Sequence, residues 1–133
     1  MAATALTGVT VSSTLSQGGF HQLLTVVAFI GSSGVGASTA ANGPNGAAAA
    51  SIITTRAGSL IYGVGEDWDR AVARAVGPGQ AIVSEWVDTG TGTSFWVQDQ
   101  TSPAGASGSA VNIADIAPTS DQWDLVIVEV KAT

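Results

Sequence analysis

The sequence predicts an all-β domain, an antiparallel β-sandwich of jelly-roll or concanavalin-like type with eight or nine strands. Three observations carry that prediction. Val, Ile, Thr and Trp collect in short runs along most of the chain, as pleated, half-buried segments require. Gly, Pro, Ser and Asn fill the intervals, and these are the residues that tight turns need. The one helix-like tract, residues 47–50, is too short to stand alone and runs into the β-branched Ile52-Ile53-Thr54-Thr55.

In chain order, strands are expected at residues 6–12, 22–30, 50–55, 59–64, 70–76, 80–87, 93–98, 110–114 and 122–130. Residues 22–30 carry Leu23, Val27 and Phe29 on one face and Leu24, Val26, Ala28 and Ile30 on the other. The last strand holds Leu125, Val126, Ile127 and Val128 in succession. Both read as central strands covered on two sides. Residues 31–50 are low in complexity, with five glycines and many alanines, and read as a long surface loop around a short edge strand. Gly77-Pro78-Gly79 reads as a tight reversal and residues 88–92 as a hairpin loop.

The chain has 133 residues, 45% of them hydrophobic and 11% charged, with no cysteine and a net charge of −6. That length makes one domain spanning residues 1–133. The absence of cysteine removes thiol nucleophiles, thiolate metal sites and disulfides. With four basic residues against ten acidic ones, no nucleic-acid partner is expected, because phosphate binding needs basic clusters. No apolar run approaches the roughly 18 residues of a membrane helix, so no membrane partner is expected either.

Few groups have the chemistry of catalysis. His21 is the only histidine and follows Gly18-Gly19-Phe20 in a turn, where a solvated loop residue is expected. Glu85 and Glu129 are the strand-borne glutamates, and a glycosidase would need them facing across a cleft. A non-enzymatic protein is the expectation. Glu66, Asp67 and Asp69 are the densest acidic group, between glycines 63 and 65 and Arg70. They are the candidate ligands of a calcium ion, the one candidate cofactor, with Asp121 and Asp124 able to join from a second loop. The alternative is an aspartate that caps the turn and pairs with Arg70 or Arg74.

The four tryptophans are the most suggestive residues. Trp96 alternates with Ser94, Gln98 and Gln100, and Trp86 with Gln80, Ser84 and Asp88. A flat ring on a polar strand face suits sugar stacking, with amides for the hydroxyls. Trp86, Trp96, Gln98 and Gln100 are therefore the candidate ligand-binding residues, with Trp86 and Trp96 as cross-strand neighbours if their strands form one hairpin. Trp68 and Trp123, each in an acidic loop before a strand, read as core fillers or loop anchors.

Several strings together resemble a module of large secreted proteins of soil bacteria, actinobacteria especially. They are Thr25-Val26-Val27-Ala28-Phe29, Gly34-Val35-Gly36-Ala37, Ala57-Gly58-Ser59-Leu60, Gly63-Val64-Gly65 with Asp67-Trp68-Asp69-Arg70-Ala71, Gly77-Pro78-Gly79-Gln80, Phe95-Trp96-Val97-Gln98 and Ala117-Pro118-Thr119. The match covers most of residues 22–130 and is most specific around Trp68. The resemblance implies a lectin-like or jelly-roll sandwich, an extracellular location within a longer secreted protein, and no catalytic residues. It leads to the expectation of a non-catalytic binding module for a carbohydrate or cell-wall polysaccharide. The resembling modules have further strands before the segment matching residues 6–12. Their absence here implies an open sheet edge near residues 6–12 or 22–30. The second expectation is thus a structural or assembly subunit that takes a partner β-strand or self-associates.

Overall fold

The computed structural model describes residues 7–133 and contains eight strands and no helix among them. They are β1 (Ser32–Gly43), β2 (Ala49–Ile53), β3 (Leu60–Asp67), β4 (Ala75–Val76), β5 (Gln80–Asp88), β6 (Thr93–Gln100), β7 (Ala110–Ala117) and β8 (Trp123–Ala132). Five form one antiparallel sheet in the order β1-β8-β3-β6-β5, and three form a second in the order β2-β7-β4. The chain is an all-β antiparallel sandwich.

The apolar core lies between the two sheets. Ile61, Leu125, Ile127 and Trp96 of the large sheet meet Ala50, Ile52, Val111 and Ile113 of the small one. The sheets approach closely at Gly63, where a Cβ would lie 2.8 Å from the Ile113 methyl. The two expected reversals are present. Gln80 N–H donates to the Gly77 carbonyl at 3.3 Å, and Gly79 supplies the left-handed residue at φ 72°. Between β5 and β6, Asp88 pairs with Thr93, and Gly92 closes the loop at φ 74° with its N–H on the Asp88 carbonyl at 3.0 Å.

Three expected elements differ. Residues 31–50 are no loop: they hold β1, a strand of 12 residues at the edge of the large sheet. Its glycines and alanines mark close approach. A Cβ on Gly36 would lie 2.0 Å from the Glu129 carboxylate, and one on Gly43 would lie 2.9 Å from the Trp123 indole nitrogen. Only small residues pass there. The expected strand at 70–76 shrinks to Ala75–Val76, because side chains satisfy the backbone ahead of it: Val72 N–H donates to Ser94 Oγ at 2.9 Å and Arg74 N–H to Glu85 Oε1 at 2.6 Å.

The third difference is at the N-terminal end. Leu6 lies outside the described residues, and residues 7–12 and 22–30 form no strand. The second stretch runs across the strands of the large sheet, over its outer face, so it cannot join a ladder. The alternation read from the sequence survives in a different setting. Leu23 and Thr25 are half-buried, while Leu24, Val26, Val27, Phe29 and Ile30 are exposed, Ile30 fully.

Candidate functional site

The expected aromatic platform does not form. β5 and β6 do pair, but the register sets Trp86 opposite Phe95 and Glu85 opposite Trp96. Trp86 and Trp96 therefore stand on opposite faces of the sheet. Trp96 is fully buried in the core, its Nε1–H donates to Gln98 Oε1 at 2.8 Å, and Gln98, also fully buried, donates to Gln80 Oε1 at 3.0 Å. Neither side chain meets solvent or a ligand, so the reading of Trp96 and Gln98 as surface contacts is corrected. Their polar strand face is the interior one. A bulge at Val83 shifts β5 by one residue, which puts Ile82 and Glu85 on the same interior face. Trp86 does lie on the outer face, half-buried, stacked on His21 at 5.5 Å and on Phe95 at 5.7 Å. Gln100 is half-buried near the end of β6. Trp123 is buried as expected, whereas Trp68 is 47% exposed.

The acidic loop does not assemble as a metal site. Glu66 and Asp67 are adjacent on β3 and point to opposite faces: Glu66 is exposed outside and Asp67 fully buried inside. Asp69 is exposed in the turn beyond. No group of three or more metal-ligating side chains converges among the described residues. Asp67 instead caps its own turn, accepting from Asp69 N–H at 2.7 Å and Arg70 N–H at 3.2 Å, and pairs with Arg74 Nη2. That is the capping-and-pairing alternative. Glycines 63 and 65 make room for Ile113 and Trp96 rather than for an ion, since a Cβ on Gly65 would lie 2.1 Å from the Trp96 ring.

Around Arg74 the interior is polar. Its guanidinium lies 4.3 Å from the centre of the Trp96 ring, a cation–π contact. It also approaches Asp121 Oδ2 at 3.8 Å, while Arg70 Nε donates to Asp121 Oδ1 at 3.0 Å. Burial pushes the Asp67 carboxyl up, and the neighbouring Asp121 adds to that push. For Asp121 burial also pushes upward, but its bonds to Asp67 and Arg70 and the charge of Arg74 outweigh it and hold it below the usual carboxylate range. Asp115 is buried with both oxygens unpartnered, and desolvation lifts it to about 7 against the pull of Arg74.

Glu129 is also fully buried, and it is structural. It accepts from Ala37 N–H, Thr55 N–H and Oγ1, Arg56 N–H and Ser59 Oγ at 2.7–3.0 Å. Burial opposes its charge, yet the Thr55 and Ser59 hydroxyls and the Ala37 and Thr55 amides hold it down at about 2. Glu85 sits on β5, three strands away in the sheet. The register makes Glu85 level with Leu125, four residues from Glu129 along β8. The two are thus about 14 Å apart across the strands and about 13 Å along them. They share no cleft.

The outer face of the large sheet is the most distinctive surface. It is apolar where a solvated face would be polar: Val64 and Val126 are half exposed there, with Phe95, Val97 and Trp86 beside them. Residues 21–30 of the N-terminal arm, which runs from residue 7 to residue 31, lie over it. Phe29 meets Tyr62 of β3 edge-on at 5.3 Å. Leu23, Leu24 and Thr25 bound a cleft of about 460 Å³ against Val64, Phe95, Val97 and Val126. His21 was expected to be a solvated loop residue. It stacks on Trp86, and its Nδ1 contacts Asp88 Oδ2. That bond, opposed by burial and helped by Thr91 and the Gly90 amide, holds Asp88 below the usual carboxylate range. The cleft ends at Glu66 and Asp124, opposed on neighbouring strands. Burial and Asp124 push Glu66 up.

Among the described residues, no backbone hydrogen bond joins residues 7–30 to either sheet. Side chains hold residues 21–30, and the arm is tied at its end by Thr133 N–H donating to the Gly31 carbonyl at 3.1 Å. Val9, Val11, Leu15, Phe20, Leu24, Val26, Val27, Phe29 and Ile30 on it stay exposed. The sequence did carry this signal, in the two-sided apolar alternation of residues 22–30. No family model, curated protein or solved structure matches the chain.

Proposed function

We propose that this chain is a non-catalytic binding module of the structural, assembly-forming kind, whose contact surface is the N-terminal arm together with the outer sheet face beneath it. One observation carries the reading: an arm with nine large apolar side chains open to water lies on an apolar sheet face. Contiguous exposed apolar surface of this kind marks association sites. The partner it suits is another polypeptide with a matching apolar surface. An extracellular setting within a longer secreted protein fits the low charge density and the resemblance in sequence. The dispersal of Glu85, Glu129 and His21 supports a role without catalysis.

The polysaccharide reading keeps Trp86, Gln100 and the exposed Trp68, but the first is occupied by His21 and Phe95. Sedimentation of the full chain over a range of concentrations tests the proposal. The wild-type chain is expected to self-associate reversibly, and the variant Leu24→Ser/Val26→Ser/Ile30→Ser to remain monomeric. A wild-type monomer at every concentration, with tryptophan fluorescence that shifts on adding soluble wall glycan, would reverse the choice between the two.

A further inference from the structure

We infer that the arm exchanges between two copies of this chain, each laying its residues 21–30 on the outer sheet face of the other. The inference rests on the assembly reading and specifies its partner, a second copy. The occupant of the face is already visible, because the chain's own arm sits there. The seat is specific. Phe29 is placed on Tyr62, Leu23 and Thr25 border the cleft by Val64 and Val97, and His21 is fixed between Trp86 and Asp88.

The attachment suits exchange. An arm in a ladder would have to break a row of backbone bonds to leave, but this one has none to the sheet among the described residues. The turn into β1 is made by Gly31 at φ 73°, a conformation open to glycine at no steric cost, and Gly34 follows at φ 123°. The joint is tied by a backbone bond from Thr133 N–H to the Gly31 carbonyl at 3.1 Å, and the arm swings about that point. Every arm-to-face contact made within one chain is remade between two, so exchange has low cost. It also brings two outer faces together around the arms, and the exposed apolar stripe of the arm, Val26 and Ile30 foremost, gains cover. A second copy is the partner that satisfies seat and stripe at once.

Cross-linking of full-length chains tests this, since the wild-type sequence has no cysteine. Thr25→Cys and Val64→Cys place thiols on the arm and on the face across one cleft. The two single variants are mixed at high concentration and treated with a short bismaleimide. A heterodimer of arm on face is expected, at least tenfold more abundant than either homodimer, and lost when the mixture is diluted before treatment. The double variant Thr25→Cys/Val64→Cys is expected to cross-link within one chain when dilute and between chains when concentrated. If the double variant links only within itself at every concentration, exchange is overturned. Should sedimentation still show association in that case, the assembly reading stands and the copies meet without trading arms. A chain that neither associates nor cross-links between copies overturns both.

Discussion

Replacing Glu129 by glutamine removes the charge on which the most densely bonded interior site depends. Oε1 takes the N–H groups of Thr55 and Arg56 and the Ser59 hydroxyl; Oε2 takes Ala37 N–H, Thr55 N–H and the Thr55 hydroxyl. An amide NH₂ in either position must face a backbone N–H that cannot turn away, Arg56 on one side or Ala37 on the other. A buried donor left unmatched costs about 1–3 kcal/mol. The bonds that remain fall from charge-assisted to neutral, from about 1.5–3 to about 1 kcal/mol each. Together the loss is about 3 kcal/mol or more, against a total stability of about 5–15 kcal/mol for a domain. In thermal unfolding this is a fall in Tm of about 10 °C or more at pH 7. The pH dependence gives a second readout. The folded carboxyl, at about 2, lies below its unfolded value of 4.5. Its contribution is therefore complete above the unfolded value and fades as pH falls toward 2. The gap between wild type and Glu129→Gln should narrow over that window. Calorimetry of both proteins from pH 7 to pH 2 makes the comparison. Equal Tm at pH 7, or a gap that does not change with pH, would refute the reasoning.

Three further substitutions probe the interior. Gly65→Ala forces a methyl to within 2.1 Å of the Trp96 ring, and should cost about 1–3 kcal/mol in urea unfolding and alter the near-UV dichroism of Trp96. Arg74→Met leaves Asp67 and Asp121 without their shared buried cation, a loss of about 3–5 kcal/mol at pH 7 by chemical denaturation. Asp115 is raised to about 7 by burial, so the folded state holds its proton longer than the unfolded one and stability falls as pH rises from about 4 to about 7; Asp115→Asn should match wild type near pH 4 and exceed it at pH 8.

Strand positions were legible where apolar and β-branched residues dominate. β2, β3, β5, β6, β7 and β8 lie where 50–55, 59–64, 80–87, 93–98, 110–114 and 122–130 were expected. β1 was hidden because its composition answers to its neighbours. Gly36 and Gly43 are small to admit the Glu129 carboxylate and the Trp123 indole, and neither neighbour can be inferred from a run of Gly, Ser and Ala. Residues 22–30 show the converse. Apolar residues on both faces are necessary for a central strand, but an arm crossing a sheet has the same pattern. Only the direction of the backbone separates the two, and no residue encodes that locally.

The candidate site was misplaced for one physical reason, and the same reason accounts for the surface that took its place. On β6 the sequence alternates Ser94, Trp96, Gln98 and Gln100 with Phe95, Val97 and Asp99. Ordinary alternation assigns the polar set to water. This sandwich largely inverts it, with Ser94, Trp96 and Gln98 fully buried inside and Phe95 and Val97 facing out. The inversion is possible because the interior near Arg74 is a polar network rather than an apolar one. Asp67, Asp121 and the Trp96 ring surround the guanidinium, and Glu85 meets the Arg74 backbone. β8 follows suit, turning Glu129 inward and Val126 outward. Each polar group taken into the core sends an apolar neighbour to the outer face, where burying it requires a cover that neither sheet provides. The arm supplies part of that cover in sequence-matched form, with Leu23, Thr25 and Phe29 toward the sheet. The rest of the arm, Val26 and Ile30 most of all, then stands exposed in turn. An apolar surface left over by an inverted core is thus passed outward, layer by layer, from the sheet to the arm.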